Sequence, residues 1–166
     1  FYAEGPTTWK LNSDSTKFVH TTNIYSDSAY YFINFEGNDG LRIASKPSST
    51  GETATINSFN DFTLYEKEEE NLIKSGRGWY SDRFDIELNK TFSFTLQGYT
   101  PNSPFSLKAS LLGGSPKANS FTVKQNGNII GMVNFLNYSA SDEYHVAADI
   151  VTTDFENLSN NNSSVN

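Results

Sequence analysis

A chain of 166 residues is long enough for one domain with a real core, or for two small ones. Hydrophobic residues make up only 36%, yet aromatics reach 14%, and side chains of that size supply enough burial to argue against a disordered chain. Twelve basic against nineteen acidic residues leave a net charge of −7, which disfavours nucleic acid as a partner. The absence of Cys excludes disulfides, thiolate zinc sites and a cysteine nucleophile. Two histidines, His20 and His145, are too few for a multi-histidine metal centre, and no motif implies a cofactor. No apolar run is long enough to span a membrane by an 18-residue helix, and the opening Phe1-Tyr2-Ala3 does not read as the charged start and apolar run of a signal peptide. The abrupt opening and the polar finish from Asn160 to Asn166 read as those of a domain truncated at both ends.

In chain order, Trp9 to Leu11 and Lys17 to Thr22 bracket Asn12-Ser13-Asp14-Ser15-Thr16, a turn-forming run that predicts a hairpin. Ala29 to Phe35 is the strongest β-forming run of the first half. It ends at Gly37-Asn38-Asp39-Gly40, after which Leu41 to Ala44 is expected to return as a partner strand. A Pro/Ser/Gly loop over 45–52 leads to a further expected strand, Ala54 to Phe59. From Phe62 an extended segment should reach about Tyr65 and give way to a short turn or one-turn helix in Glu66-Lys67-Glu68-Glu69-Glu70. The apolar positions are too far apart there for an amphipathic helix. In the second half, Phe92, Phe94 and Leu96 alternate with polar residues, and Phe105, Leu107, Ala109 and Leu111 repeat the pattern beyond a Pro-rich breaker. Phe121 to Lys124 and Ile129 to Val133 flank Gln125-Asn126-Gly127-Asn128, where Asn-Gly marks a tight hairpin. Tyr144, Val146, Ala148 and Ile150 form a last apolar face.

The dominant period is therefore two. The expected fold is all-β, an antiparallel β-sandwich or jelly-roll-like domain over 1–166, with N-terminal hairpins and loops in 1–90 and sandwich strands in 91–166. Candidate chemistry is sparse. The Glu66 to Glu70 run reads as a solvated acidic loop rather than a calcium site. Asn38-Asp39-Gly40, Asn60-Asp61 and Asp142-Glu143 are turn formers that could also donate oxygens to calcium. His20 and His145 lack the neighbours of a catalytic triad and read as structural. Trp9, Tyr30, Tyr31, Trp79 and Tyr80 could form a sugar-stacking platform or simply pack across strands. Asn89, Asn137, Asn157, Asn161 and Asn162 each open an N-x-[ST] triplet, expected by chance in a chain this rich in Asn and Ser.

Three stretches carry a resemblance. They are Phe1-Tyr2-Ala3-Glu4-Gly5-Pro6-Thr7-Thr8-Trp9 with Phe18 to Asp27 and Tyr30-Tyr31-Phe32; Phe59-Asn60-Asp61-Phe62 with Tyr65-Glu66-Lys67; and Asn71 to Phe84, which contains Ser75-Gly76-Arg77-Gly78-Trp79-Tyr80. In this order they resemble the region upstream of the peptidase domain in gingipain-type cysteine peptidases that act as sortases of type IX secretion systems. Phe105 to Leu111 and Asn119 to Val123 resemble the sandwich strands that follow in the same proteins.

The resemblance implies a parent that cleaves C-terminal signals of cargo proteins with a Cys–His pair and works on the extracellular face of the outer membrane. This chain has no Cys, so no catalytic residue carries over to it. The implied role is that of a non-catalytic module whose partners are the downstream peptidase domain, cargo C-terminal signal domains or outer-membrane secretion components. Within it, Arg77, Trp79 and Tyr80 are the expected partner interface, because they combine hot-spot residue types with flexible glycine. The competing reading makes Trp79 an inward plug and pairs Arg77 with one of Glu66 to Glu70. A carbohydrate-binding module or an adhesion sandwich are the alternative functions.

Overall fold

The computed structural model describes residues 4–48, 50–51, 54–71, 78–137 and 148–166. All regular structure among them is β: β1 (Thr8–Leu11), β2 (Phe18–Thr21), β3 (Phe94–Thr95), β4 (Phe105–Gly113), β5 (Asn119–Gln125), β6 (Asn128–Phe135), β7 (Asp149–Leu158) and β8 (Ser164–Val165). They pair antiparallel as β1-β2, β3-β8, β4-β7 and β5-β6, so the fold is all-β as its period-two runs require. The chain divides into two compact units, Phe1–Arg83 and Phe84–Asn166.

In the first unit, β1 and β2 form the expected hairpin, with Trp9 opposite His20 and Leu11 opposite Phe18. Its turn is closed by side chains acting as backbone. Asn12 Oδ1 accepts from the amides of Thr16 (2.9 Å) and Lys17 (3.1 Å), while Ser15 takes a φ of 58°. Asp14 Oδ1 accepts from the Thr16 hydroxyl at 2.5 Å and from its amide at 3.1 Å. The Thr16 hydroxyl bond, reinforced by the Thr16 amide, holds the Asp14 carboxyl below its ordinary pKa.

The strands expected at Ala29 to Phe35, Leu41 to Ala44 and Ala54 to Phe59 carry no ladder. Phe32, Phe35, Leu41 and Ile43 stand almost fully exposed. High β propensity describes fitness for a pleated, half-buried surface, and these runs have no neighbouring edge among the described residues to supply one. The turn or one-turn helix expected after Tyr65 is also absent, and an isolated antiparallel bridge joins Glu70 to Tyr80 instead.

The second unit stacks two ribbons. The core-facing residues of β4 (Leu107, Ala109, Leu111) and β5 (Phe121, Val123) pack against Val133 and Phe135 of β6 and Phe155 of β7. Those last three are the buried apolar centre, at 1%, 5% and 9% exposure. Interlocking depends on two glycines. A Cβ on Gly113 would lie 2.3 Å from the Phe135 ring, and one on Gly131 would lie 2.5 Å from the Phe155 ring. Each ring therefore occupies the space that a side chain on a neighbouring strand would need.

The β5-β6 turn is the Asn-Gly hairpin expected, with positive φ at both Asn126 (49°) and Gly127 (86°). Ladder irregularities sit where the phase must adjust. Val123 faces Gly131 but Lys124 faces Ile129, so Ile130 is an extra residue. Phe105 faces Leu158 but Leu107 faces Phe155, so Glu156 and Asn157 together oppose Ser106. Asn157 absorbs the second irregularity with a φ of 57°.

The final strand departs from expectation in phase. Tyr144 and Val146 lie outside the described residues, but Ile150 points to solvent while Val151 and Phe155 line the core. Phe155 has the largest surface to hide, and one strand has one phase, so burying Phe155 turns Ile150 outward.

Candidate partner-binding surface

Of the three residues singled out as an interface, Arg77 lies outside the described residues. Trp79 and Tyr80 are placed by the bridge to Glu70. The amides of Glu69 (3.1 Å) and Glu70 (2.8 Å) both donate to the Tyr80 carbonyl, and the Tyr80 amide returns a bond to the Glu70 carbonyl at 2.8 Å. Two donors on one acceptor bend the acidic segment as a bulge does. The Tyr80 ring lies back toward Gly78, where an added Cβ would meet its hydroxyl at 3.3 Å. Tyr80 is thus half-buried, while Trp79, on the opposite side of the extended chain, remains 46% exposed.

Charged and polar pairs form along the segments that the bridge joins. Arg83 pairs with Glu70 at 2.6 Å, and the Tyr65 hydroxyl donates to Asp82 Oδ2 at 2.8 Å. Lys67 lies over the Tyr65 ring at 5.4 Å and 3.7 Å from Glu69. Its pKa is raised, chiefly by the side-chain contact with Tyr65 and then by the charge of Glu69. The acidic run is therefore engaged at its end by an arginine that sequence reasoning did not select. Arg83 stands three residues beyond Tyr80, and the register of the bridge brings it to Glu70.

The other candidates do not converge on a site. Trp9 is stacked on Phe62 at 3.8 Å and touches the His20 ring at 4.5 Å, with Phe18 completing a small aromatic cluster against Phe62. Phe62 thus covers ring surface that a sugar platform would need free. Tyr30 (84% exposed) and Tyr31 (50%) lie on the unpaired run, and the Tyr31 hydroxyl donates to the Glu4 carbonyl. His20 Nε2 is buried without a hydrogen-bond partner among the described residues, as suits a ring held by stacking. His145 and Asp142-Glu143 lie outside the described residues. Asn38, Asp39 and Asn60 are exposed, and Asp61 caps the Phe62 amide at 2.8 Å. No three His, Asp or Glu side chains among the described residues gather into a metal site.

A second constellation went unrecognised in the sequence. Asn160 anchors the end of the second unit: its amide donates to the Tyr99 hydroxyl (3.2 Å), its carbonyl accepts from the Asn102 amide (2.7 Å), and its side chain gathers the segment that follows. Within the polar run from Asn160 to Asn166, read from the sequence as a turn, Ser164–Val165 pair with β3 as β8. A string of Asn and Ser reads as loop in a sequence because nothing in its spacing shows which amides will satisfy one another.

The edges of the ribbons are the remaining feature able to receive a partner. Among the described residues, β4 and β5 each pair with a single strand, which leaves the other side of each ladder open. Lys108, Ser120, Thr122 and Lys124 stand exposed along them. No protein family matches this chain, and neither a curated protein nor a solved structure is significantly similar to it.

Proposed function

We propose that this chain is a non-catalytic, protein-binding β module of a surface peptidase of the gingipain-like sortase type, serving a type IX secretion system at the extracellular face of the outer membrane. It holds no cysteine nucleophile, so the bond-breaking Cys–His chemistry of such a peptidase has to be supplied by other sequence. The reading rests on the motif resemblance around Trp79. The observation that supports its binding role is that every strand among the described residues pairs on one side only, the long strands β4 and β5 included. An extended peptide added to such an edge gains backbone hydrogen bonds that demand no particular sequence, which suits recognition of many β-rich cargo signals.

Trp79 is the anchor of this proposal. A half-exposed indole that follows Gly78 is of the residue type that dominates interface hot spots. The test is capture of isolated cargo C-terminal signal domains by the immobilised chain. Wild type is expected to retain them, and Trp79→Ala to weaken retention about tenfold, the scale of a hot spot near 1–2 kcal/mol. Equal retention by both proteins would remove Trp79 from the interface, and no retention by either would contradict the binding role.

A further inference from the structure

The chain contains a single Asn-Gly dipeptide, Asn126-Gly127, at the tip of the β5-β6 hairpin. Glycine after asparagine leaves the following backbone nitrogen unshielded. That nitrogen can attack the side-chain amide carbon, expel ammonia and close a succinimide. Water then opens the ring at one carbonyl to give aspartate, or at the other to give isoaspartate. The net change is the loss of ammonia and the gain of water, with no oxidant or catalyst required.

In the folded hairpin that amide is not free to swing. Asn126 Oδ1 accepts from the Asn166 amide at 2.9 Å, and Asn126 Nδ2 donates to Asn160 Oδ1 at 3.1 Å. The Asn126 amide donates to the Asn166 carbonyl at 2.7 Å, and Gln125 Nε2 holds the Ser159 carbonyl at 2.7 Å. The direction of the side-chain bond to Asn160 is fixed by the rest of the network. Asn160 Nδ2 already faces three oxygens, the Asn162 carbonyl (2.9 Å), Asn162 Oδ1 (3.0 Å) and the Ser164 carbonyl (2.6 Å), so its Oδ1 must be the acceptor.

We propose that Asn126 is a spontaneous deamidation site guarded by segment 159–166, and that its hydrolysis releases that segment. Ring closure needs the amide to leave Asn160 and Asn166, so the reaction proceeds from the state in which the segment has detached. Its product cannot restore the latch. Aspartate at position 126 has no donor for Asn160 Oδ1 and sets a carboxylate against that oxygen, while Asn160 cannot turn without abandoning its three acceptors. The segment then loses the Asn160 side-chain bond to the hairpin tip, which weakens the anchor beside the β3-β8 pairing. The arrangement is a one-way latch that records time spent open.

The test ages the full chain in mildly alkaline buffer and maps its peptides by mass spectrometry. Aspartate and isoaspartate are expected at Asn126 ahead of every other asparagine. Asn160→Ala is expected to accelerate their formation about fivefold, the scale of one lost hydrogen bond. Because Asn160→Ala could also loosen the unit, Asn126→Asp is measured by hydrogen exchange. The expected result is faster exchange in 159–166 with β4 and the buried part of β7 unchanged. Equal rates of modification in wild type and Asn160→Ala, or unchanged exchange of 159–166 in Asn126→Asp, would overturn the proposal.

Discussion

At the scale of single residues, the two glycines of the sandwich carry more of the packing than their size suggests. Gly131 leaves the space that the Phe155 ring fills, so Gly131→Ala must displace that ring. The expected cost is about 1–3 kcal/mol by overpacking, read as a lower midpoint in denaturant. Asp14 offers a contrasting case on an exposed turn. Its carboxylate accepts two bonds from Thr16, which lowers its folded pKa, so the contribution to the turn is present above the ordinary aspartate value of about 3.9. That contribution is lost as pH falls through the lowered folded value. Proton-resolved titration should place the Asp14 midpoint below about 3.9, and Thr16→Val should move it back toward that value. The sequence announced the turn through Asn12 to Thr16, but it could not announce Asn160. A capping asparagine binds its own neighbours, whereas Asn160 also joins residues far along the chain, Tyr99, Asn102 and Asn126.

At the scale of elements, turn chemistry locates two of the three hairpins expected from the sequence. The β1-β2 and β5-β6 hairpins lie where turn residues sit between two apolar runs, and β4 follows the alternation that begins at Phe105. Leu41 to Ala44, the expected return strand, forms no ladder with Ala29 to Phe35. Ala29 to Phe35 has every local property of a strand and no ladder, because pairing belongs to the neighbouring edge and not to the run itself. In β7 the alternation is intact, but which phase faces inward is decided by Phe155, beyond the stretch that signalled the strand. A mutational contrast follows from this. Phe32 is fully exposed, so Phe32→Ser should change unfolding free energy by less than about 0.5 kcal/mol. Phe155→Ala, in the core, should cost about 3–5 kcal/mol. A large loss from Phe32→Ser would show that Ala29 to Phe35 is buried in solution.

At the scale of the whole molecule, the chain divides into two compact units, and among the described residues few side chains are deeply buried and every strand pairs on one side only. Composition already excluded cysteine chemistry and made a basic nucleic-acid face implausible, and the motif resemblance supplied the rest of the functional expectation. The site was legible only in part. Trp79 is half-exposed, and the pairing of Arg83 with Glu70 depends on a bridge that no spacing rule announces. Strand addition is the central claim, and it concerns backbone amides. Hydrogen exchange of the full chain, alone and with a saturating cargo C-terminal signal domain, therefore tests it most directly. The account predicts slowed exchange at alternate amides of β4 or β5, the positions an added strand would pair. Bound signal domain with unaltered exchange along both strands would contradict it.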